Sequence, residues 1–171
     1  TQIALSFLDA IDYKFKLEVV VNSGFHQLQK LDEFFSNHSF RHPIKIIEDP
    51  VDMRSLMLDA DLAVASFGVT AYELAATGVP SVLLCPTSDH YQSALLFESS
   101  GLGFIVDACD RGHQDSDRLG KQVLAKVSYL ISRPEVLSDM GQQSRILCNG
   151  NGSQMIAAEL HKVVENSTTL N

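Results

Sequence analysis

Five short, almost uninterrupted aliphatic runs, LEVVVN (17–22), IKII (44–47), DLAVA (61–65), SVLLC (81–85) and GFIV (103–106), alternate with longer stretches along this chain. Such runs, lacking polar alternation, mark strands buried on both faces, as parallel strands are. The stretches between them, at about 25–36, 53–59, 70–77 and 90–100, carry helical spacing. Strand, helix, strand in repetition predicts right-handed crossovers and a doubly wound, Rossmann-like parallel sheet of the α/β class. Beyond Val106 the polar loop DACDRGHQDSD leads into C-terminal helices expected at about 117–132, 134–147 and 153–165. Pro134 suits a first helical turn, with Arg133 held extended before it.

A length of 171 residues fits one domain, expected over 1–165, with 166–171 as a frayed tail. Hydrophobic residues at 45% and charged residues at 20% exclude a disordered or coiled-coil chain. The formal charge of −8 argues against nucleic acid or an anionic membrane as partner, because both reward clustered Lys and Arg. No apolar run approaches the roughly 20 residues of a membrane span. Cys85, Cys109 and Cys148 are odd in number and lack C-x-x-C spacing, so neither a disulfide framework nor a zinc site is expected. A reducing, cytoplasmic setting follows as an expectation. His26, His38, His42, His113 and His161 show no metal-ligand spacing, and no metal or other cofactor is expected. There is no G-x-S-x-G and no P-loop. The chain opens at Thr1 on TQIALSFLDAI, already a helical pattern, and is expected to be a piece of a larger protein.

Ligands of open parallel sheets sit beyond the carboxyl ends of the strands, where loops lead into helix N-termini. Three such loops stand out. In SFGVTAYELAATGVP (66–80), Gly68 lets the backbone approach a ligand, and the amides opening the next helix suit a phosphate. The same residues also spell a capping box, with the Thr70 hydroxyl accepting from the Glu73 amide while the Glu73 carboxylate reaches back. In CPTSDHYQSA (85–94), Asp89, His90, Tyr91 and Gln92 open a helix and suit a hydroxyl-rich ligand such as a sugar. There the plain reading is a Thr87 or Ser88 cap followed by a solvated first turn. In IIEDPVDMRSLM (46–57), Glu48-Asp49-Pro50 makes a turn whose backbone would contact a flat base, or Asp52 simply caps the helix that begins with Met53. NGNGS (149–153) reads either as a phosphate loop or as a glycine ending one helix while Asn151 or Ser153 caps the next.

Taken in order, DMRSLMLDADLAVASFGVTAYELAATGVPSVLL, DHYQSALLFESSGLG and NGNGSQMIAAEL resemble the C-terminal lobe of GT-B nucleotide-sugar enzymes. The text looks most like the UDP-sugar hydrolases of pseudaminic acid biosynthesis and their relatives in spore-coat polysaccharide synthesis. It is more distantly similar to the UDP-N-acetylglucosamine transferases of glycosyltransferase family 28. The likeness covers roughly residues 17–164.

It implies a lobe that binds a UDP-linked amino sugar, within a glycosyltransferase or UDP-sugar hydrolase of cell-surface polysaccharide synthesis. The implied site has Asp52 and Met53 near the uracil, and Gly68, Val69 and Thr70 at the diphosphate. Glu73 would hold the ribose, with Asp89, His90 and Gln92 toward phosphate or sugar, and Gly24 at a cleft facing an N-terminal lobe absent from this chain. No metal is implied. The catalytic groups would lie in that other lobe, so the chain alone is expected to bind without turnover. The pattern departs from the family in two places. Phe67 stands where the family has a glycine and is expected to narrow the approach to the phosphates. The family's first strand, central in a 3-2-1-4-5-6 sheet, is missing. The alternative is a non-catalytic Rossmann-like module whose acidic surface serves a protein partner.

Overall fold

The computed structural model describes residues 2–24, 28–109 and 116–168. His26, His113, most of the polar loop after Cys109 and residues 169–171 lie outside them. The elements run α1 (Gln2–Leu8), β1 (Leu17–Val21), α2 (Leu28–Asn37), β2 (Ile44–Glu48), α3 (Met53–Leu58), β3 (Ala63–Ser66) and α4 (Val69–Thr77). They continue through β4 (Ser81–Cys85), α5 (Ser88–Ser99), β5 (Phe104–Asp107), α6 (Ser116–Ile131), α7 (Pro134–Leu147) and α8 (Gly152–Thr168). Every strand pairing is parallel.

The order β3-β4-β5 places SVLLC at the centre of a three-stranded sheet, and its side chains alternate between two apolar layers. Leu83 and Cys85, with Ile105, pack under Ala71 and Ala75 of α4 and Ala94 and Phe97 of α5. Val82 and Val106 face the other way, against Leu8, Ile11, Val123, Val127, Leu130 and Met140. Helices therefore cover both faces, as a doubly wound sheet requires. At about 1.5–3 kcal/mol for each large aliphatic side chain removed from water, these two layers supply most of the driving force. Glycines set the closest helix contacts. A Cβ on Gly120 of α6 would run into the Phe7 ring of α1, and one on Gly141 of α7 would stand 2.6 Å from the Gly78 carbonyl oxygen at the end of α4.

The sheet differs from the sequence expectation at β1. Only Val19 and Val21 are buried there, beneath Leu5 and Leu31, while Glu18 is exposed and Val20 is 40% exposed. The run LEVVV is continuous in sequence, yet it is covered on one face only. Strands β1 and β2 also form a sheet of their own, separate from β3-β4-β5.

The backbone shows which edges face the gap. Leu17 N–H donates to the Pro43 carbonyl and Val21 accepts from Asp49 N–H, so residues 17, 19 and 21 bond toward β2. In a parallel ladder the alternate residues, Glu18 and Val20, then point their peptide groups away from β2. Ala63 and Phe67 bond likewise toward β4, through Pro80 and Leu84, which turns the peptide groups of Val64 and Ser66 outward. Among the described residues no strand pairs with either edge. The outer edge of β5 is treated differently: the Glu98 carboxylate accepts the Ile105 amide at 2.8 Å and lies 3.5 Å from Lys126 Nζ. Charged side chains on an edge strand block further pairing. Thus β5 ends the sheet, whereas β1 and β3 leave room for another strand.

Candidate functional site

Helix α4 begins two residues earlier than a capping box on Thr70 requires. Its N-cap is Gly68, with extended backbone at φ 167° and ψ −154°, and no side chain caps it. Thr70 and Glu73 consequently fall inside the helix, two residues past the N-cap and third-residue positions a capping box needs. The reading that made them purely structural does not hold. Ala71 N–H bonds to Gly68 O at 3.0 Å. Among the described residues the amides of Val69 and Thr70 have no acceptor, and the first turn holds no acidic residue. A Cβ placed on Gly68 would meet nothing within 4 Å, so the space above this helix end is open. Orphan amides and the positive end of a helix dipole are the features that suit an anion.

Phe67 does not narrow that space. Its side chain is 6% exposed and turns inward, with its ring centroid 5.8 Å from Phe97, 6.2 Å from Tyr72 and 6.5 Å from His90. It belongs to the core between α4 and α5. The expectation of a blocked phosphate approach is therefore corrected: strand alternation sends a large residue at this position into the core, leaving the adjacent Gly68 backbone bare.

At α5 the cap is Thr87, whose hydroxyl accepts the His90 amide at 3.2 Å and also stands 2.7 Å from His90 Nδ1. Asp89 and Gln92 are exposed at the start of this helix and His90 is half-buried. The Phe67–His90 contact brings the openings of α4 and α5 side by side. Glu73 is exposed one turn into α4, and its carbonyl accepts the Thr77 hydroxyl at 2.9 Å.

The β1-β2 sheet presents Gly24, Asp52 and Met53 at its own carboxyl edge. Asp52 caps α3, accepting the Ser55 amide at 2.9 Å and the Ser55 hydroxyl at 2.6 Å, bonds that hold its carboxyl below the usual aspartate range. Met53 is half-buried against Met57, Leu74 and Val79, which ties α3 to α4. Both residues thus have structural duties that sequence reasoning gave as the plainer account. Gly24 is exposed, next to Ser23, whose amide donates to Asp49 Oδ1 at 3.0 Å. Asp49 has φ 41°, the one positive value on a non-glycine among the described residues. This clasp between the β1 and β2 loops was not visible in the sequence. Strained backbone and bonds across 26 residues leave no local pattern.

Burial, then Cys109, Asp107 and Glu98 nearby, push the Cys85 thiol up to about 11, which makes it a packing residue and no nucleophile. Among the described residues no three His, Cys, Asp or Glu side chains gather as metal ligands, and no helix is long and apolar enough to cross a membrane.

No family model matches the chain. It is 24% identical over 152 residues to the UDP-N-acetylglucosamine--N-acetylmuramyl-(pentapeptide) pyrophosphoryl-undecaprenol N-acetylglucosamine transferase of Caldanaerobacter subterraneus subsp. tengcongensis, covering 85% of this chain and 39% of the relative. To the protein of the same name from Shewanella denitrificans it is 33% identical over 125 residues, 68% of this chain and 32% of the relative. The chain thus spans well under half the length of the curated relatives it matches. Among solved structures, Acinetobacter baumannii MurG superposes with a TM-score of 0.66 at 19% identity, covering 91% of this chain and 44% of that one. The glycosyltransferase VinC in complex with DTDP gives 0.61 at 18%, covering 96% and 37%. With its parallel strands and helices on both faces, the chain has the Rossmann-like α/β fold of the GT-B glycosyltransferase C-terminal lobe.

Proposed function

We propose that this chain is the nucleotide-sugar-binding lobe of a glycosyltransferase that uses a UDP-linked amino sugar in cell-surface polysaccharide synthesis. The observation that carries this is the uncapped start of α4, where Gly68, Val69 and Thr70 offer bare backbone to an anion. In the proposed pose those residues hold the diphosphate and Glu73 the ribose hydroxyls. Asp89, His90 and Gln92 face phosphate or sugar, the turn ending in Asp52 and Met53 lies beside the uracil, and Gly24 lines the cleft. Transfer is preferred to hydrolysis because the relatives are named as transferases. The diphosphate charge is met by helix amides, so binding is proposed to need no metal.

A second lobe is proposed as partner, carrying the catalytic groups and the acceptor site. The chain's coverage of only 39% and 32% of two relatives supports it. Within this lobe, the open edges of β1 and β3 fit one further parallel strand, giving the order β2-β1-x-β3-β4-β5, which is the 3-2-1-4-5-6 arrangement. The setting is proposed to be cytoplasmic, with Cys85, Cys109 and Cys148 as free thiols. Isothermal titration with UDP, DTDP and GDP in the presence of a chelator tests the binding claim. Saturable binding of UDP, stronger than that of GDP and unchanged by the chelator, is expected. Equal binding of all three nucleotides contradicts the uracil assignment, and loss of binding on chelation contradicts metal independence.

A further inference from the structure

We infer that Thr87 is a positioning residue that holds His90 as the Nε2–H tautomer, so that the ring offers an N–H donor to a phosphate oxygen of the bound nucleotide. This rests on the nucleotide reading proposed above and adds to it which proton His90 presents and which residue decides it.

The inference follows from the hydrogen-bonding inventory of one hydroxyl. Thr87 Oγ1 accepts the backbone N–H of His90 at 3.2 Å, the bond that caps α5. The same oxygen lies 2.7 Å from His90 Nδ1, a usual length for an O–H donor. A hydroxyl has one proton and two lone pairs. With one lone pair on the backbone amide, the hydroxyl either donates its proton to Nδ1 or accepts from Nδ1–H with its second lone pair. A separation of 2.7 Å is central for an O–H donor and the short limit for an N–H donor, which favours the first and makes Nδ1 the acceptor. The ring proton then belongs on Nε2, since a neutral imidazole carries one.

The ring has a second contact. Phe67, fixed in the core, stands near-perpendicular to it at 77° with centroids 6.5 Å apart. Among the described residues Nε2 has no hydrogen-bond partner. Phe67 precedes Gly68 in the chain, and its ring contact brings the first turn of α5, with His90, next to that of α4. An anionic oxygen there accepts from Nε2–H; the other tautomer would turn a lone pair toward it. One threonine therefore caps α5 and selects the polarity of the ring.

The test is long-range proton–nitrogen NMR of the imidazole at mildly alkaline pH, together with UDP titration, in wild type, Thr87→Ser and Thr87→Val. The His90 signals are identified by their loss in His90→Gln. Wild type and Thr87→Ser are expected to show Nε2 protonated and to bind UDP equally. Thr87→Val is expected to show mixed tautomers and about tenfold weaker UDP binding, the size of one lost bond to a charged group. Its melting temperature falls as well through loss of the cap, but a role in capping alone would leave the tautomer unchanged. Wild type that binds UDP with His90 in the Nδ1–H form overturns the inference alone. Nε2–H retained in Thr87→Val with full affinity does the same. A wild type with Nε2–H that takes up no UDP overturns the nucleotide reading, and the donor role with it.

Discussion

Phe67 stands edge-on to Phe97, with ring centroids 5.8 Å apart and planes at 82°, and through this contact the residue beside the candidate phosphate site belongs to the core. Tyr72 completes the cluster, 5.5 Å from Phe97 at 86°. A bulky residue next to Gly68 thus stiffens the loop from below while leaving its upper surface clear.

Phe67→Ala is expected to cost about 3–5 kcal/mol of stability, as removal of a buried phenylalanine does. UDP affinity, measured by titration at a temperature where the variant remains folded, is expected to stay within about twofold of wild type, a change of under about 0.5 kcal/mol. A gain in affinity on truncating the ring would return Phe67 to the role of an obstruction.

Glu73 makes no cap, so Glu73→Ala is expected to change stability by less than about 0.5 kcal/mol. If its carboxylate holds the ribose hydroxyls, UDP affinity falls about tenfold, the size of a charge-assisted bond. Thermal melting and titration on the same sample separate the two effects. A lower melting temperature with affinity intact contradicts the assignment.

Asp52 carries a pH dependence. Its bonds to the Ser55 hydroxyl and amide depress its folded-state pKa below the ordinary 3.8. A depressed carboxyl contributes stability that is complete above its unfolded pKa and is lost as pH falls through the folded value. The melting temperature of wild type should therefore exceed that of Asp52→Ala by a constant margin around neutral pH, and the two should converge in strong acid. A margin that widens on acidification would contradict the cap geometry.

Two glycines hold α4 against α7. Gly78 ends α4 at φ 73° with its Cα beneath the Arg145 side chain, which donates from Nε to the Thr77 carbonyl at 3.2 Å. Gly78→Ala is expected to lose about 1–2 kcal/mol from the left-handed backbone alone. Gly141→Ala, which pushes a methyl onto the Gly78 carbonyl, should lose about 1–3 kcal/mol by overpacking. Chemical denaturation of both variants reads these losses, and unchanged midpoints would mean that the helices meet differently.

The strands and most helices were legible because each depends on local pattern. SVLLC at 81–85 and the Pro134 start of α7 coincide with the observed bounds. What failed depended on partners distant in sequence. LEVVV reads as a fully buried strand, but among the described residues no helix covers Glu18 and Val20, so both are exposed. Thr70 and Glu73 have capping-box spacing, yet the helix starts at Val69 because Gly68 already provides the turn. The ring partners of Phe67 and the Asp49–Ser23 clasp lie 23 to 30 positions away, which no window of sequence contains.

The most direct measurement compares UDP binding and melting temperature in wild type and Gly68→Ala. The backbone of Gly68 is extended, a conformation any residue adopts, and an added methyl meets nothing within 4 Å. If a diphosphate occupies that space, the methyl excludes it: UDP binding is lost while the melting temperature stays where it was. Undiminished UDP binding by Gly68→Ala, or no UDP binding by wild type, contradicts the account.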